Sequence, residues 1–205
     1  SYEDDADDDK ADEFSSFGND LILTDYLDPE EFTQKLTQKY NNDNHLNVMQ
    51  MNIDNLTTKM DSFRSLVENE FGSQKPFFHL IGITETHLCT ETSKSNRASL
   101  SEEEIQFSLQ NYVFKGKSRS DLKKGGVGFF VRKDIYELVS VENDLTIFDE
   151  GLFESLFLKI KTNDRVHGRR EREMVVGVIY LPTGQRLQKE QIYKYFEKIN
   201  DIIDR

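Results

Sequence analysis

The chain has 205 residues, a formal net charge of −12 and a single cysteine, Cys89. Its length allows one domain with a substantial core. One cysteine excludes an internal disulfide framework and a cysteine-rich zinc site, which favours a reducing, intracellular location. No apolar run approaches the roughly 20 residues that a membrane-spanning helix needs, so we expect no membrane partner.

The negative charge is concentrated at the N-terminus. Residues 1–31 contain 13 Asp or Glu and one Lys, and the totals of 38 acidic and 26 basic residues leave 25 of each for the rest of the chain. Residues 1–27 offer too little apolar surface to offset the entropy of ordering. We therefore predict an acidic flexible leader over 1–27 and one folded domain over 28–205. The leader is a solubilising tail or, alternatively, an acidic interaction arm or DNA mimic.

Helical and extended patterns alternate along residues 28–205. Asp28-Pro29 predicts a helix start, because Asp caps free N–H groups and Pro suits the first turn. A second helix starts at Thr57, and a capping box at Ser101 predicts a short third one. Extended patterns predict six strands, at 46–53, 77–83, 112–116, 125–132, 152–160 and 174–181, and an amphipathic helix covers 188–204.

These elements predict an α/β (α+β) fold with one mixed sheet of about six strands. The first two strands flank a helix, which makes them a parallel crossover pair. Several strands are apolar on both faces, and strands of this kind lie in sheets that are covered on both sides. The predicted helices cover one face only. We therefore expect the other face of the sheet to be uncovered in this chain.

The strand over 77–83 ends in a polar segment that contains Glu85 and His87. Ligands of open α/β sheets collect at the ends of strands. Glu85 is therefore a candidate for chemistry, and a carboxylate that caps the following turn is the alternative. We interpret His87 as part of the loop structure.

Four segments, in a fixed order, carry a resemblance to a known family. They are Met51-Asn52-Ile53, Ile83-Thr84-Glu85-Thr86-His87-Leu88, Arg119 followed by Gly125-Gly126-Val127-Gly128, and Val178-Ile179-Tyr180-Leu181-Pro182. Together they resemble the endonuclease/exonuclease/phosphatase superfamily, and in particular the endonuclease domain of LINE-type (non-LTR) retrotransposon proteins.

The resemblance implies a metal-dependent endonuclease that nicks target DNA for retrotransposition, with Mg²⁺ or Mn²⁺ as cofactor and a nuclear location. It implies that Glu85 is catalytic and ligates the metal, that Asn52 helps to hold the metal or its water, and that Tyr180 contacts the scissile phosphate. Mg²⁺ prefers carboxylate and water oxygens, and an amide and a phenol add hydrogen bonds without repelling a phosphate. Taken singly, Asn52 as a turn residue and Tyr180 as a core aromatic remain the alternatives.

Two basic segments are candidates for contacts to DNA. Their residues are Lys115, Lys117, Arg119, Lys123, Lys124, Arg169 and Arg170. Contacts of this kind to phosphates are electrostatic and salt-sensitive. Solvated loop tips are the alternative interpretation.

Two blocks of the family are absent from the sequence, a Gly-Asp-Phe-Asn-like block whose Asp activates the water and a Ser-Asp-His-like block. We therefore expect the N-terminal half of a four-layer α/β/β/α sandwich, with a missing C-terminal half or a second copy as a partner. The alternative function is a non-catalytic, retrotransposon-derived binding or assembly module that uses the uncovered sheet face. A phosphoesterase acting on a lipid or a nucleotide is a third interpretation.

Overall fold

The computed structural model describes residues 31–32, 34–35, 45–71, 76–88, 102–106, 108–120, 124–162, 172–182 and 189–203. The predicted leader, 1–27, lies outside them. Within the described ranges the chain is α+β, with one mixed and one antiparallel sheet and few helices. None of the helices in this part of the chain is long and apolar enough to cross a membrane.

The strands are β1 (Val48–Asn52), β2 (Leu80–Thr84), β3 (Tyr112–Lys117), β4 (Val127–Arg132), β5 (Val139–Val141), β6 (Phe148–Asp149), β7 (Phe153–Thr162) and β8 (Arg172–Tyr180). The α-helices are α1 (Leu56–Arg64), α2 (Glu102–Gln106) and α3 (Lys189–Ile203). A π-helical stretch, Ser65–Glu70, continues α1, and a 3₁₀ helix, Lys133–Leu138, follows β4. Residues 31–32 and 34–35 are also helical. The helices predicted from residues 57, 101 and 188 and all six predicted strands are therefore present.

The first sheet has the strand order β1-β2-β4-β3. β1 and β2 are parallel, with Asn52 opposite Thr84, and the other pairs are antiparallel. The predicted crossover unit is confirmed, because α1 connects β1 to β2. Its side chains Met60 and Phe63 share a buried apolar cluster with Ile81 and Phe130 of the sheet.

The second sheet is built around β7. β5 and β6 pair with one edge of β7, β8 pairs with the other, and all of these pairs are antiparallel. The predicted single sheet of about six strands is therefore wrong, since the described strands form two sheets of four. Hydrophobic periodicity shows which segments are extended, but it does not show which strands pair.

The face of the first sheet that α1 leaves open packs against the second sheet. Leu80 and Phe129 belong to one buried cluster with Leu156, Leu158 and Val178. The expectation of an uncovered face is corrected accordingly, because strands of the same chain cover it. The alternate residues of β7, Phe153 and Phe157, pack instead with Ile199 of α3.

Candidate active site

The structure brings together three residues that the sequence analysis singles out. Asn52 ends β1 and Glu85 follows β2, and since these strands are parallel neighbours their ends share one edge of the sheet. The Asn52 Nδ2 donates a hydrogen bond to Glu85 Oε1 at 2.8 Å. Tyr180 ends β8 of the other sheet, and its phenol lies close enough to Glu85 for the charge of that carboxylate and hydrogen bonding to it to raise the pKa of the phenol. Glu85 therefore lies between an amide and a phenol from two different sheets.

Tyr180 is held in its neutral, hydrogen-bonding form. Burial raises the pKa of its phenol, and the charge of Glu85 together with the hydrogen bond to that carboxylate raises it further. A neutral phenol is a hydrogen-bond donor that does not repel an anion. Tyr180 can therefore donate to an anionic oxygen near Glu85.

The orientation of the Asn52 amide is fixed by both of its partners. Its nitrogen faces the Glu85 carboxylate, which can only accept, and its oxygen accepts from Asp54 N–H at 3.1 Å. The amide oxygen is thus already bonded to the backbone. In this arrangement Asn52 orients the Glu85 carboxylate, and its amide oxygen keeps a second lone pair.

The two loops that form the site have unusual backbone conformations. The non-glycine residues with positive φ in the described part of the chain are Asp54 (45°), Asn55 (81°), Glu85 (56°) and His87 (53°). Each such residue costs on the order of 1–3 kcal/mol, and such residues cluster at functional sites. The loops hold each other, since Asn55 N–H donates to Glu85 C=O at 2.8 Å.

The Gly125-Gly126 turn binds the Glu85 loop from the opposite side. Thr86 N–H donates to Gly126 C=O at 3.3 Å, and His87 N–H donates to Gly125 C=O at 2.8 Å. Both glycines have positive φ, 138° and 87°. A Cβ at Gly126 would collide with Thr86 Oγ1, and a Cβ at Gly125 would collide with the Arg119 guanidinium. Only glycine fits either position.

Arg119 is buried, so its predicted place on a DNA-contacting surface is corrected. Its side chain is 4% exposed and forms an ion pair with Glu154, which is fully buried on β7. Glu154 also accepts hydrogen bonds from Gly126 N–H at 2.6 Å and from Gly151 N–H at 3.0 Å. A buried charge needs a partner of this kind to offset its desolvation. Arg119 therefore supports the site from inside.

The other predicted basic contacts have different positions. Lys117 and Lys124 are exposed, and Lys124 is close enough to His87 to lower the pKa of that imidazole. The Lys115 Nζ lies 4.2 Å from the centre of the Tyr136 ring. Lys123, Arg169 and Arg170 lie outside the described residues.

Asp54, Glu85 and His87 form a group that could hold a divalent cation. One ligand atom from each lies within 4.8 Å of the others. Two carboxylates fit Mg²⁺ or Mn²⁺, because hard cations prefer oxygen ligands. His87 Nε2 is buried without a hydrogen-bond partner among the described residues and lies 3.7 Å from Glu85 Oε2. Burial lowers the pKa of His87, although the charges of Glu85 and Asp54 act in the opposite direction.

Three residues of the site are not among the sequence predictions. Asp54 follows the Met51-Asn52-Ile53 segment directly, and that proximity to Asn52 is the one signal for it. Thr86 gives no signal beyond its place after Glu85. Glu154 is the one acidic residue of a strand that also contains Ser155, Lys159 and Lys161, so the sequence gives no clear signal that its carboxylate is buried.

Comparisons with known proteins give no match. No family model matches the chain, and neither does any curated protein or solved structure. The function is therefore argued from the residues and their geometry.

Proposed function

We propose that this chain carries part of the active site of a Mg²⁺-dependent DNA endonuclease, as the resemblance to retrotransposon endonucleases implies. The observation that supports it most is the position of Glu85, whose carboxylate accepts a hydrogen bond from Asn52 at 2.8 Å and lies beside the Tyr180 phenol, whose pKa it raises. The three side chains come from the ends of β1, β2 and β8. Asn52, Glu85 and Tyr180 are far apart in the sequence, so their proximity is a product of the tertiary fold.

The proposed roles follow from the chemistry of each side chain. Glu85 and Asp54 would hold the metal, which when bound polarises a phosphoryl oxygen and stabilises the leaving oxygen. Asn52 keeps the Glu85 carboxylate in one orientation. Tyr180 has one hydroxyl proton, and when substrate is bound it would turn that proton from Glu85 towards a phosphate oxygen. The resemblance also implies an Asp that activates water, in a Gly-Asp-Phe-Asn-like block that is not found in these 205 residues.

Exposed lysines near the site support DNA as the substrate. Lys117 pairs with Val127 and Lys124 precedes Gly125, so that these two exposed lysines flank the Gly125-Gly126 turn. Contacts of lysines to phosphates release counterions, so binding to DNA should weaken as salt is raised. Lys123, Arg169 and Arg170 stay predictions for the same surface.

We also propose the finer fold, a four-layer α/β/β/α sandwich. Its support is the presence of three apolar clusters, which join α1 to the first sheet, the two sheets to each other, and the second sheet to α3. The alternative function, a binding module, relied on the expectation of an uncovered sheet face. Strands of the same chain cover that face.

The direct test is Mg²⁺-dependent nicking of supercoiled plasmid by the chain extended past Arg205. Glu85→Gln should reduce nicking by about 100-fold or more, since even an outer partner of a metal ligand is worth about 10- to 100-fold. Glu190→Gln, on the exposed surface of α3, is the matched control and should nick like the parent. An inert extended chain, or equal nicking by Glu85→Gln, would refute the endonuclease proposal.

A second measurement uses the chain of 205 residues itself. Mn²⁺ binding followed by calorimetry should be lost in Glu85→Gln and weakened in Asp54→Asn. Glu190→Gln again serves as the control. Equal Mn²⁺ affinity in all three variants would remove the metal site from the proposal.

A further inference from the structure

Glu154 is a buried carboxylate whose two oxygens meet three donors. One oxygen accepts from the Arg119 guanidinium and from Gly151 N–H, and the other accepts from Gly126 N–H at 2.6 Å. The side chain of Arg119 fills the space beside Gly125. Glu154 and Arg119 together therefore fix the Gly125-Gly126 turn, on one side by hydrogen bonding and on the other by packing.

The Gly125-Gly126 turn also fixes the backbone that carries Glu85. The carbonyls of Gly125 and Gly126 accept from the N–H groups of His87 and Thr86, the two residues that follow Glu85. Glycine has the largest backbone freedom of any residue. The hydrogen bond from Gly126 N–H to Glu154 adds to these two bonds and restricts the glycines to the conformation that the Glu85 loop needs.

Glu154 is also directly opposite Tyr180 in the register of β7 and β8. The residue that anchors the turn thus lies beside the strand position that delivers the phenol to Glu85. Glu154 therefore helps to position both the Gly125-Gly126 turn and Tyr180, the two neighbours of the Glu85 loop.

We propose that Glu154, in its ion pair with Arg119, is a positioning residue for Glu85. It acts through the Gly125-Gly126 turn and keeps Glu85 and His87 in their left-handed conformations. This inference rests on the proposed metal-binding role of Glu85 and adds to the site a residue from the second sheet.

The test replaces the ion pair by neutral side chains of similar size, Arg119→Met with Glu154→Gln. Replacing both members of the pair leaves no buried charge without a partner, which is the main cost of removing only one of them. We expect Mn²⁺ affinity to fall by about 10- to 100-fold, the usual effect of removing an outer partner of a metal ligand. The amide protons of Thr86 and His87 should exchange faster, while the midpoint of urea unfolding stays close to that of the parent.

The matched control removes another ion pair from the same strand. Lys159 of β7 binds Glu142 at 2.8 Å, away from the turn. Lys159→Met with Glu142→Gln should leave both the Mn²⁺ affinity and the exchange of Thr86 and His87 unchanged.

A second variant covers the case in which the first does not fold. Glu154→Asp keeps a negative charge beside Arg119 but shortens the side chain by one methylene, so that it no longer reaches Gly126 N–H. It should raise the exchange rates of Thr86 and His87 and weaken Mn²⁺ binding in the same direction.

The outcomes separate this proposal from the proposed function. If the parent chain binds Mn²⁺ and Glu154→Asp or the neutral double variant binds it equally, with unchanged exchange at Thr86 and His87, the positioning role is wrong. If the parent does not bind Mn²⁺, the metal-binding role of Glu85 fails, and amide exchange alone decides the positioning role. Faster exchange at both residues supports it, and unchanged exchange overturns it.

Discussion

Gly126 shows how much of the site depends on a single missing side chain. Its φ of 87° lies in the left-handed region, and its Cα faces Thr86 Oγ1. Its N–H and C=O connect Glu154 to the Glu85 loop. The backbone of a residue that has no side chain thus links the Glu154 carboxylate to the loop that carries Glu85.

At this scale we predict that Gly126→Ala destabilises the protein strongly. The left-handed conformation costs about 1–2 kcal/mol for an L-residue, and the collision with Thr86 Oγ1 adds to it. Urea unfolding of Gly126→Ala, Thr86→Ala and the double variant measures the cost of the left-handed conformation and the cost of the collision separately. The two substitutions should show a favourable coupling of at least about 0.5 kcal/mol, because removing Oγ1 relieves the collision. Strict additivity would show that the collision contributes nothing.

Among the elements, α1 is held to the first sheet by aromatic contacts. Phe63 is 2% exposed, and its ring centre lies 5.3 Å from that of Phe130 on β4. Asn55 caps the helix by accepting from Thr58 N–H at 3.2 Å. The cap directly precedes α1 and directly follows Asp54, so the start of the helix and the site share one loop.

We predict that Phe63→Ala lowers the free energy of unfolding by about 3–4 kcal/mol, the usual effect of truncating a buried Phe. Tyr193→Ala is the control, since Tyr193 is 64% exposed on α3 and should change stability by no more than about 0.5 kcal/mol. Denaturant unfolding monitored by circular dichroism measures both. Similar effects of the two substitutions would contradict the described packing of α1.

At the level of the whole molecule, α3 is attached to the second sheet by aromatic and polar contacts. Tyr195 stacks on Phe153 of β7 with ring centres 4.5 Å apart, and its hydroxyl donates to Asp149. The hydrogen bond to Asp149, together with burial, raises the pKa of Tyr195 to about 12.

This shift predicts a contribution to stability that disappears at high pH. Because the folded pKa lies above the ordinary value of about 10, the stabilisation is fully present below pH 10 and is lost as the pH rises towards 12. Tyr195→Phe should therefore be less stable than the parent by about 1 kcal/mol at neutral pH, and the difference should vanish near pH 12. The test is to measure the free energy of unfolding of the parent and of Tyr195→Phe from pH 7 to 12. A difference that is constant with pH would show that the lost interaction does not involve the phenol proton.

The helices, the strands and several site residues could be predicted from local pattern. The period of Met60 and Phe63 predicts α1, and the end of an apolar strand marks Glu85. Asn52 and Tyr180 were found through a resemblance, and the structure then places both beside Glu85. The prediction that Arg119 contacts DNA is wrong, because nothing in the local sequence shows that this arginine has a buried partner, Glu154.

The helical and extended segments, and the carboxylate that ends a buried strand, can be predicted from the sequence because these features depend on residues a few positions apart. The division of the strands into two sheets, the packing of one sheet on the other and the anchoring of the turn by Glu154 are apparent only in the folded chain. Those features depend on pairings between distant residues, such as Arg119 with Glu154 and Tyr180 with Glu85. Local periodicity carries no information about such pairings, and they are fixed when the two sheets pack together.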